Sequence, residues 1–262
     1  MSVEQHLAGG PAQPSEFIEG LIINQGPREL LAKYFLLADK QLRERGVILT
    51  LASFDELLAV NAANRDSWLP LTPTFDISKN KLSSERSFCL IGRDLQNRSV
   101  ATHAGRLFDW QSTSFAEEGE ALRLFYDHPQ TNALPGEMCR VSSNAARRLT
   151  GLVSYTGAVW YRRDYRGLGL AFYMSRLVRA YAYALWGVDY STGMIAAGNV
   201  AKGLTDKTGH ANVEMGLHSR GSTHGDVDYQ IIWSTPRQIV EQLTQVLADE
   251  SKTLILDQRR AQ

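Results

Sequence analysis

The chain has 262 residues and is electrically balanced, with 28 Lys+Arg against 28 Asp+Glu. Its hydrophobic content of 44% is that of a globular protein, and a chain of this length hides roughly 70–75% of its unfolded surface. The balance lacks the basic excess of bulk nucleic-acid binders and the polybasic face of membrane-adhering proteins, so neither partner is expected. No run approaches the roughly 18 apolar residues that a membrane span needs. The first residues, MSVEQHLAGGPAQPSEF, lack the basic start and apolar stretch of a secretory signal. Two cysteines, Cys89 and Cys139, show no metal spacing. They suggest a reducing, cytoplasmic setting in which both are buried small hydrophobes.

Residues 1–15, with Gly9, Gly10, Pro11 and Pro14, read as a flexible tail. From Pro27 to Arg45, Leu30, Leu31, Tyr34, Phe35, Leu37, Ala38 and Leu42 recur at helical spacing, and Gly46 suits the end. Val47–Leu51 is a short strand, Phe54–Trp68 a helix, and Leu69–Glu85 a loop. Ser87–Arg93 and Ser99–Phe108 form a hairpin around polar residues 94–98. Residues 110–149 are a long connection, with a helix over 115–126, that either covers an acceptor or packs on the sheet.

Thr150–Tyr161 is strand-rich, and Gly169–Trp186 is a helix with the stripe Leu170, Met174, Leu177, Tyr181 and Leu185, stopped by Gly187. Val188–Ala197, Val213–His218 and Tyr229–Ser234 read as strands. A final helix opens at Thr235-Pro236 and runs to about Leu247. The order fits an α/β (α+β) fold with a mixed sheet flanked by helices. One domain over 16–262 is expected, with 16–86 as an N-terminal helical part and 110–149 as an insertion.

The chemically informative stretch is YRRDYRGLGLA, from Tyr161 to Ala171. A strand ends, a basic glycine-bearing loop follows, and a long helix begins. Gly167 and Gly169 let the backbone approach a ligand. The first helical amides have no internal partner and carry the positive end of the dipole. Arg162, Arg163 and Arg166 add full charges, so a pyrophosphate would be well held. A third glycine for a dinucleotide fingerprint is missing, because Phe172 stands there, and the P-loop motif is absent.

The segment Arg166-Gly167-Leu168-Gly169-Leu170-Ala171 resembles the Gln/Arg-x-x-Gly-x-Gly/Ala signature of the GNAT superfamily of N-acetyltransferases, with a strand before it and an amphipathic helix after it. The resemblance covers about residues 87–109 and 150–234. It implies an acyl-CoA N-acyltransferase fold in which this loop holds the pyrophosphate of acetyl-CoA, or of another acyl-CoA, through successive amides. Tyr161, Arg166, Gly167, Leu168, Gly169, Leu170, Ala171 and Asn199 are then the cofactor-binding residues. The strand ending at Tyr161 would be the central one, and 188–197 its splayed neighbour. Gly209-His210 stands where the family has Gly-Phe. The acceptor implied is a primary amine on a small molecule or a protein, and a homodimer is in keeping with the family.

Two departures matter. TGLVSYTGAVWY has no acid where the family often has a glutamate base, and no tyrosine follows Asn199 closely. The remaining candidates are Tyr155 on the central strand, Glu214 with His218 on a later strand, and His210 as a base. His103 reads as structural. His224, Asp226 and Asp228 crowd one loop but read as turn chemistry rather than a metal site. The missing acid and base leave open a non-catalytic CoA-binding or regulatory protein. An acyltransferase that uses a longer acyl or carrier-protein donor is also left open.

Overall fold

The computed structural model describes residues 15–260, so the tail expected over 1–15 lies almost wholly outside the described residues. The chain runs α1 (Glu16–Glu19), α2 (Arg28–Arg43), β1 (Ile48–Ala52), α3 (Phe54–Ala63), β2 (Ser87–Arg93) and β3 (Ser99–Trp110). It continues with α4 (Phe115–Glu120), α5 (Pro129–Asn132), β4 (Met138–Val141), β5 (Gly151–Tyr161), α6 (Leu170–Trp186), β6 (Tyr190–Ala196), α7 (Ala197–Val200) and α8 (Leu204–Thr208). Last come β7 (Asn212–Ser222), β8 (Gly225–Ser234) and α9 (Pro236–Arg260).

Among the described residues, eight strands form one sheet in the order β1-β2-β3-β5-β6-β8-β7-β4. Every pairing is antiparallel except β5 with β6. One face buries the apolar stripes of α2, α6 and α9 against Leu49, Phe88, Leu90 and Val100. The other buries Phe54, Phe75, Trp110, Phe115, Tyr126 and Val141 against Cys89, Ile91, Val153, Tyr155 and Ile231. The insertion therefore packs on the second face, and its strand β4 extends the sheet beyond β7. This mixed sheet, with a parallel central pair and helices on both faces, is the arrangement that the resemblance implies.

Local chemistry explains most boundaries. Ser53 and Ser114 accept the amides of Glu56 and Glu117, which caps α3 and α4. Thr235 and Gln238 form a reciprocal capping box at α9: Thr235 Oγ1 accepts from the Gln238 amide, and Gln238 Oε1 from the Thr235 amide. Gly187, at φ 62°, stops α6 with its amide on the Tyr183 carbonyl.

Several expected boundaries move. The helix expected to reach Trp68 ends at Ala63, and Trp68 instead stacks on Trp160 with ring centroids 5.6 Å apart. The helix expected over 115–126 ends at Glu120, because Leu122 adopts a left-handed φ of 61°. The strands expected over Val213–His218 and Tyr229–Ser234 lengthen into a hairpin of β7 and β8, and α9 runs well past Leu247.

Candidate functional site: the loop between the central strand and helix α6

Strands β5 and β6 pair for only three positions, Val153 with Tyr190, Ser154 with Ser191 and Tyr155 with Thr192. Two threonines lock this short zip. Thr192 Oγ1 donates to the Ser154 carbonyl at 2.9 Å, and Thr156 Oγ1 donates to the Thr192 carbonyl at 3.1 Å. Asp189 closes its lower end, donating its amide to the Leu152 carbonyl and accepting the Leu152 amide on Oδ2.

Beyond Thr156 the strands separate. Residues of β5 from Gly157 onward pair only with β3, and those of β6 from Gly193 onward only with β8. A bulge marks the split: His103 alone faces Ala158 and Val159, and Ala158 has φ 52°. The extra residue shifts the alternation, so Trp160 joins the second face and Tyr161 the first.

The loop leaves β5 at the open end of this wedge. Gly167 and Gly169 are both left-handed, at φ 84° and 76°, which only glycine adopts at little cost. Among the described residues, the backbone N–H groups of Gly167, Leu168, Gly169, Leu170 and Ala171 have no protein acceptor. Gly167, Leu168 and Gly169 are exposed. Five consecutive free donors at the start of a 17-residue helix make an anion cradle.

The expected arginine cluster is corrected in part. Arg162 is committed to Asp164 and Asp94, and Arg163 to Asp66. Each is neutralised by an acid, so neither brings free charge to the cradle. Arg166 donates to the carbonyls of Tyr161, at 2.9 Å, and Ser67, at 3.3 Å. Arg45, at the end of α2, donates from Nε to the Leu168 carbonyl at 2.9 Å. The hydrogen bonds of Arg45 and Arg166 go to uncharged acceptors, so their positive charge remains at the loop. Tyr161 supplies its carbonyl rather than its phenol, since that hydroxyl is sealed without a partner. Asn199 lies on α7, just past the end of β6, and is exposed.

The structure does not bring together Tyr155, Glu214 and His210. Tyr155 lies in the second-face core, stacked on Phe75 at 5.7 Å, and burial drives its phenol pKa strongly upward. Both oxygens of Glu214 accept backbone amides, from Asn144 at 2.9 Å and Ala145 at 3.1 Å, so this carboxylate caps the insertion. His210 Nδ1 faces Arg179 and the Thr208 hydroxyl, and Nε2 is sealed without a partner. Burial, and then Arg179, holds its pKa well below the ordinary range. A ring so enclosed cannot reach an external amine.

His103 is buried on the helix face, as a structural residue should be, with its pKa pushed down to about 3 by burial and then by Arg179. His224, Asp226 and Asp228, which crowd one loop in the sequence, go to separate tasks. Asp226 accepts the Gly221 amide, Asp228 holds His218 and Arg220, and His224 meets the Pro70 carbonyl at 2.7 Å.

What the sequence did not disclose is the segment 64–72. Its Ser67 carbonyl is held by Arg166, and its Asp66 by Arg163. Ser67 Oγ accepts Trp160 Nε1 at 3.2 Å, and Pro70 is held by His224. It therefore reaches from the cradle to the tip of the β7–β8 hairpin. Tyr229, whose hydroxyl lies 3.4 Å from His224 Nδ1, pairs with Ala196 at the end of β6. His224 and Tyr229 thus lie beside the end of β6, next to the segment that carries Trp68. A cleft of about 320 Å³ lined by Arg86, Arg106 and Trp110 lies at the other end of the sheet, since Trp110 pairs with the first residue of β5.

No family model and no curated protein matches the chain. Solved structures to which it is similar include mutant forms of the spermidine/spermine N-acetyltransferase SpeG from Vibrio cholerae. That match is 8% identical, covers 75% of this chain and 98% of that one, and has a TM-score of 0.43. The apo form of FdhC, described as a nucleotide-linked sugar GNAT, is 9% identical over 78% of this chain and 94% of that chain, with a TM-score of 0.41. An acetyltransferase of the GNAT family from Streptococcus pneumoniae is 12% identical over 72% of this chain and 98% of that chain, with a TM-score of 0.40.

Proposed function

We propose that this protein is a GNAT-type N-acyltransferase that takes its acyl group from an acyl-CoA, with acetyl-CoA as the first choice, and passes it to a primary amine. The observation that carries the reading is the run of five unpartnered amides from Gly167 to Ala171 beside a parallel strand pair that opens after three residues. The cradle suits a pyrophosphate, with Arg45 and Arg166 supplying charge. The wedge between β5 and β6 offers strand edges to the amide groups of a pantetheine arm, as an added strand would use them.

Holding thioester and amine together supplies much of the acceleration. The amine must lose a proton as it attacks the carbonyl carbon. The base in this reading is His224: its Nε2–H is committed to the Pro70 carbonyl, which leaves Nδ1, 3.4 Å from the Tyr229 hydroxyl, as the nitrogen that takes the proton. Tyr155, Glu214 and His210 have no part in this proposal. Attack forms the C–N bond, the C–S bond breaks, and the CoA thiolate leaves.

The test is release of CoA thiol from acetyl-CoA in the presence of a panel of primary amines, with His224→Ala alongside. Amine-dependent thiol release that falls at least tenfold in the variant supports the reading. Binding of acetyl-CoA with no transfer to any amine would favour the non-catalytic alternative, in keeping with the absence of an acid on β5.

A further inference from the structure

On the far edge of the sheet, three side chains that the loop chemistry does not use stand in a line. Ser142 Oγ lies 3.2 Å from His218 Nε2, and His218 Nδ1 lies 3.0 Å from Asp228 Oδ1. We propose that Ser142, His218 and Asp228 form a nucleophilic triad that hydrolyses small activated esters, at a site separate from the α6 loop.

The order of the atoms sets the tautomer. Asp228 is a carboxylate acceptor, so Nδ1 carries the proton and Nε2 presents its lone pair to the serine hydroxyl. Asp228 stays ionised because His218 and then Arg220, whose Nη2 is 2.7 Å from the same oxygen, hold its pKa below the ordinary range.

The backbone is shaped for the serine. Ser142 follows β4 directly, and its amide donates to the Gly216 carbonyl at 2.8 Å. Gly216 is a bulge residue of β7 with φ 138°. A Cβ there would lie 2.7 Å from the Ser143 nitrogen and 2.9 Å from Ser142 Oγ. Only glycine therefore lets the serine come up to His218. The Cα atoms of Ser142's neighbour Val141 and of Arg140 pair with Leu217 and His218, which fixes β4 against β7.

The surroundings indicate the substrate class. Ser142 is exposed, and the side chain of His218 is 36% exposed, so both can be reached from solvent. Val213 and Met215, 44% and 45% exposed, pair with Ile232 and Gln230, which alternate onto the same face as Asp228. They form an apolar rest for a short acyl group. Arg140, level with His218, is the cation nearest in register for a developing oxyanion.

In the first step Ser142 Oγ bonds to the ester carbonyl carbon while His218 Nε2 takes the hydroxyl proton. The carbon–oxygen bond to the leaving group then breaks, and that oxygen receives the proton from His218. Water cleaves the acyl-serine by the same relay, which yields the carboxylic acid and restores the hydroxyl.

The experiment treats the full chain with a fluorophosphonate and, separately, with p-nitrophenyl acetate. The expected result is one phosphonyl adduct, on the peptide that contains Ser142, together with nitrophenol release. Ser142→Ala should abolish both with an unchanged melting temperature, and His218→Ala and Asp228→Asn should slow labelling at least tenfold. No adduct on Ser142 in a chain with a normal melting transition would overturn the proposal. So would hydrolysis at the unmodified rate by Ser142→Ala.

Discussion

Replacing Ala171 with proline deletes one of the five free amides while leaving the helix its hydrogen bonds. The Ala171 N–H has no protein acceptor, and proline is tolerated in a first helical turn. The structural cost falls on Leu170, whose helical conformation a following proline disfavours. The binding cost is larger. A hydrogen bond to a charged group is worth about 1.5–3 kcal/mol, so the Kd for acetyl-CoA should rise by about ten- to a hundredfold. At a ligand concentration of about 100 times the original Kd, the unmodified chain gains about 2.7 kcal/mol, and a variant about thirtyfold weaker gains about 0.9 kcal/mol. For a chain of this size, the ligand-induced rise in Tm should shrink from roughly 5–10 °C to roughly 2–4 °C. Thermal melting with and without acetyl-CoA reads this, and Ala171→Gly, which keeps the N–H, is the control. Equal shifts for the proline and glycine variants would refute the amide cradle as the anchor.

Three further outcomes are expected. The folded pKa of His103, about 3, lies below the ordinary 6.5, so the unfolded chain takes up a proton first as pH falls. Stability is full above 6.5 and drops toward pH 3, with about 2 kcal/mol lost by pH 5 from this residue; urea midpoints at pH 7 and 5 measure it, and equal midpoints would contradict it. Burial, with Glu120 and Glu137 behind it, pushes the Cys139 thiol up to about 12, and burial raises Cys89 too; a disulfide reagent should therefore titrate neither cysteine until denaturant is added. Gly151→Ala forces a side chain to φ 83° and drives it into the Asp189 carboxylate that clasps Leu152; it should cost at least about 2 kcal/mol in a denaturant melt.

Much of this architecture could be read from periodicity. The stripe of α2 and that of α6 each face one layer, so burial repeats at helical spacing. The hairpin at 94–98 was visible because its turn is polar, and Asn97 takes the left-handed φ of 61°. The loop at 167–171 was visible because its glycines and the following stripe are adjacent in sequence. Arg45 could not be found that way: it lies 123 residues from the carbonyl that it holds. The strap at 64–72 looked like a helix continuing to Trp68, and only the packing of Trp68 on Trp160 shows why it is not. Glu214 and His210 stand out in the sequence as polar residues on or beside a strand. Their partners, two insertion amides and a buried arginine, come from elements whose positions no local pattern encodes. The Ser142 line is missed for the same reason, since serine and histidine are 76 residues apart.

The four-residue strand β4 has a consequence of its own. Without it, β7, eleven residues long, would end the sheet as an open edge with unpaired amides and carbonyls and with Val213 and Met215 already bare. Such an edge is a template for another chain's strand. The insertion covers part of it, pairing Leu217–Arg220 with Met138–Val141, and the amides of Asn144 and Ala145 hold the Glu214 carboxylate. A chain shortened there would bare Leu217–Arg220 as well, and should associate more readily through the β7 edge.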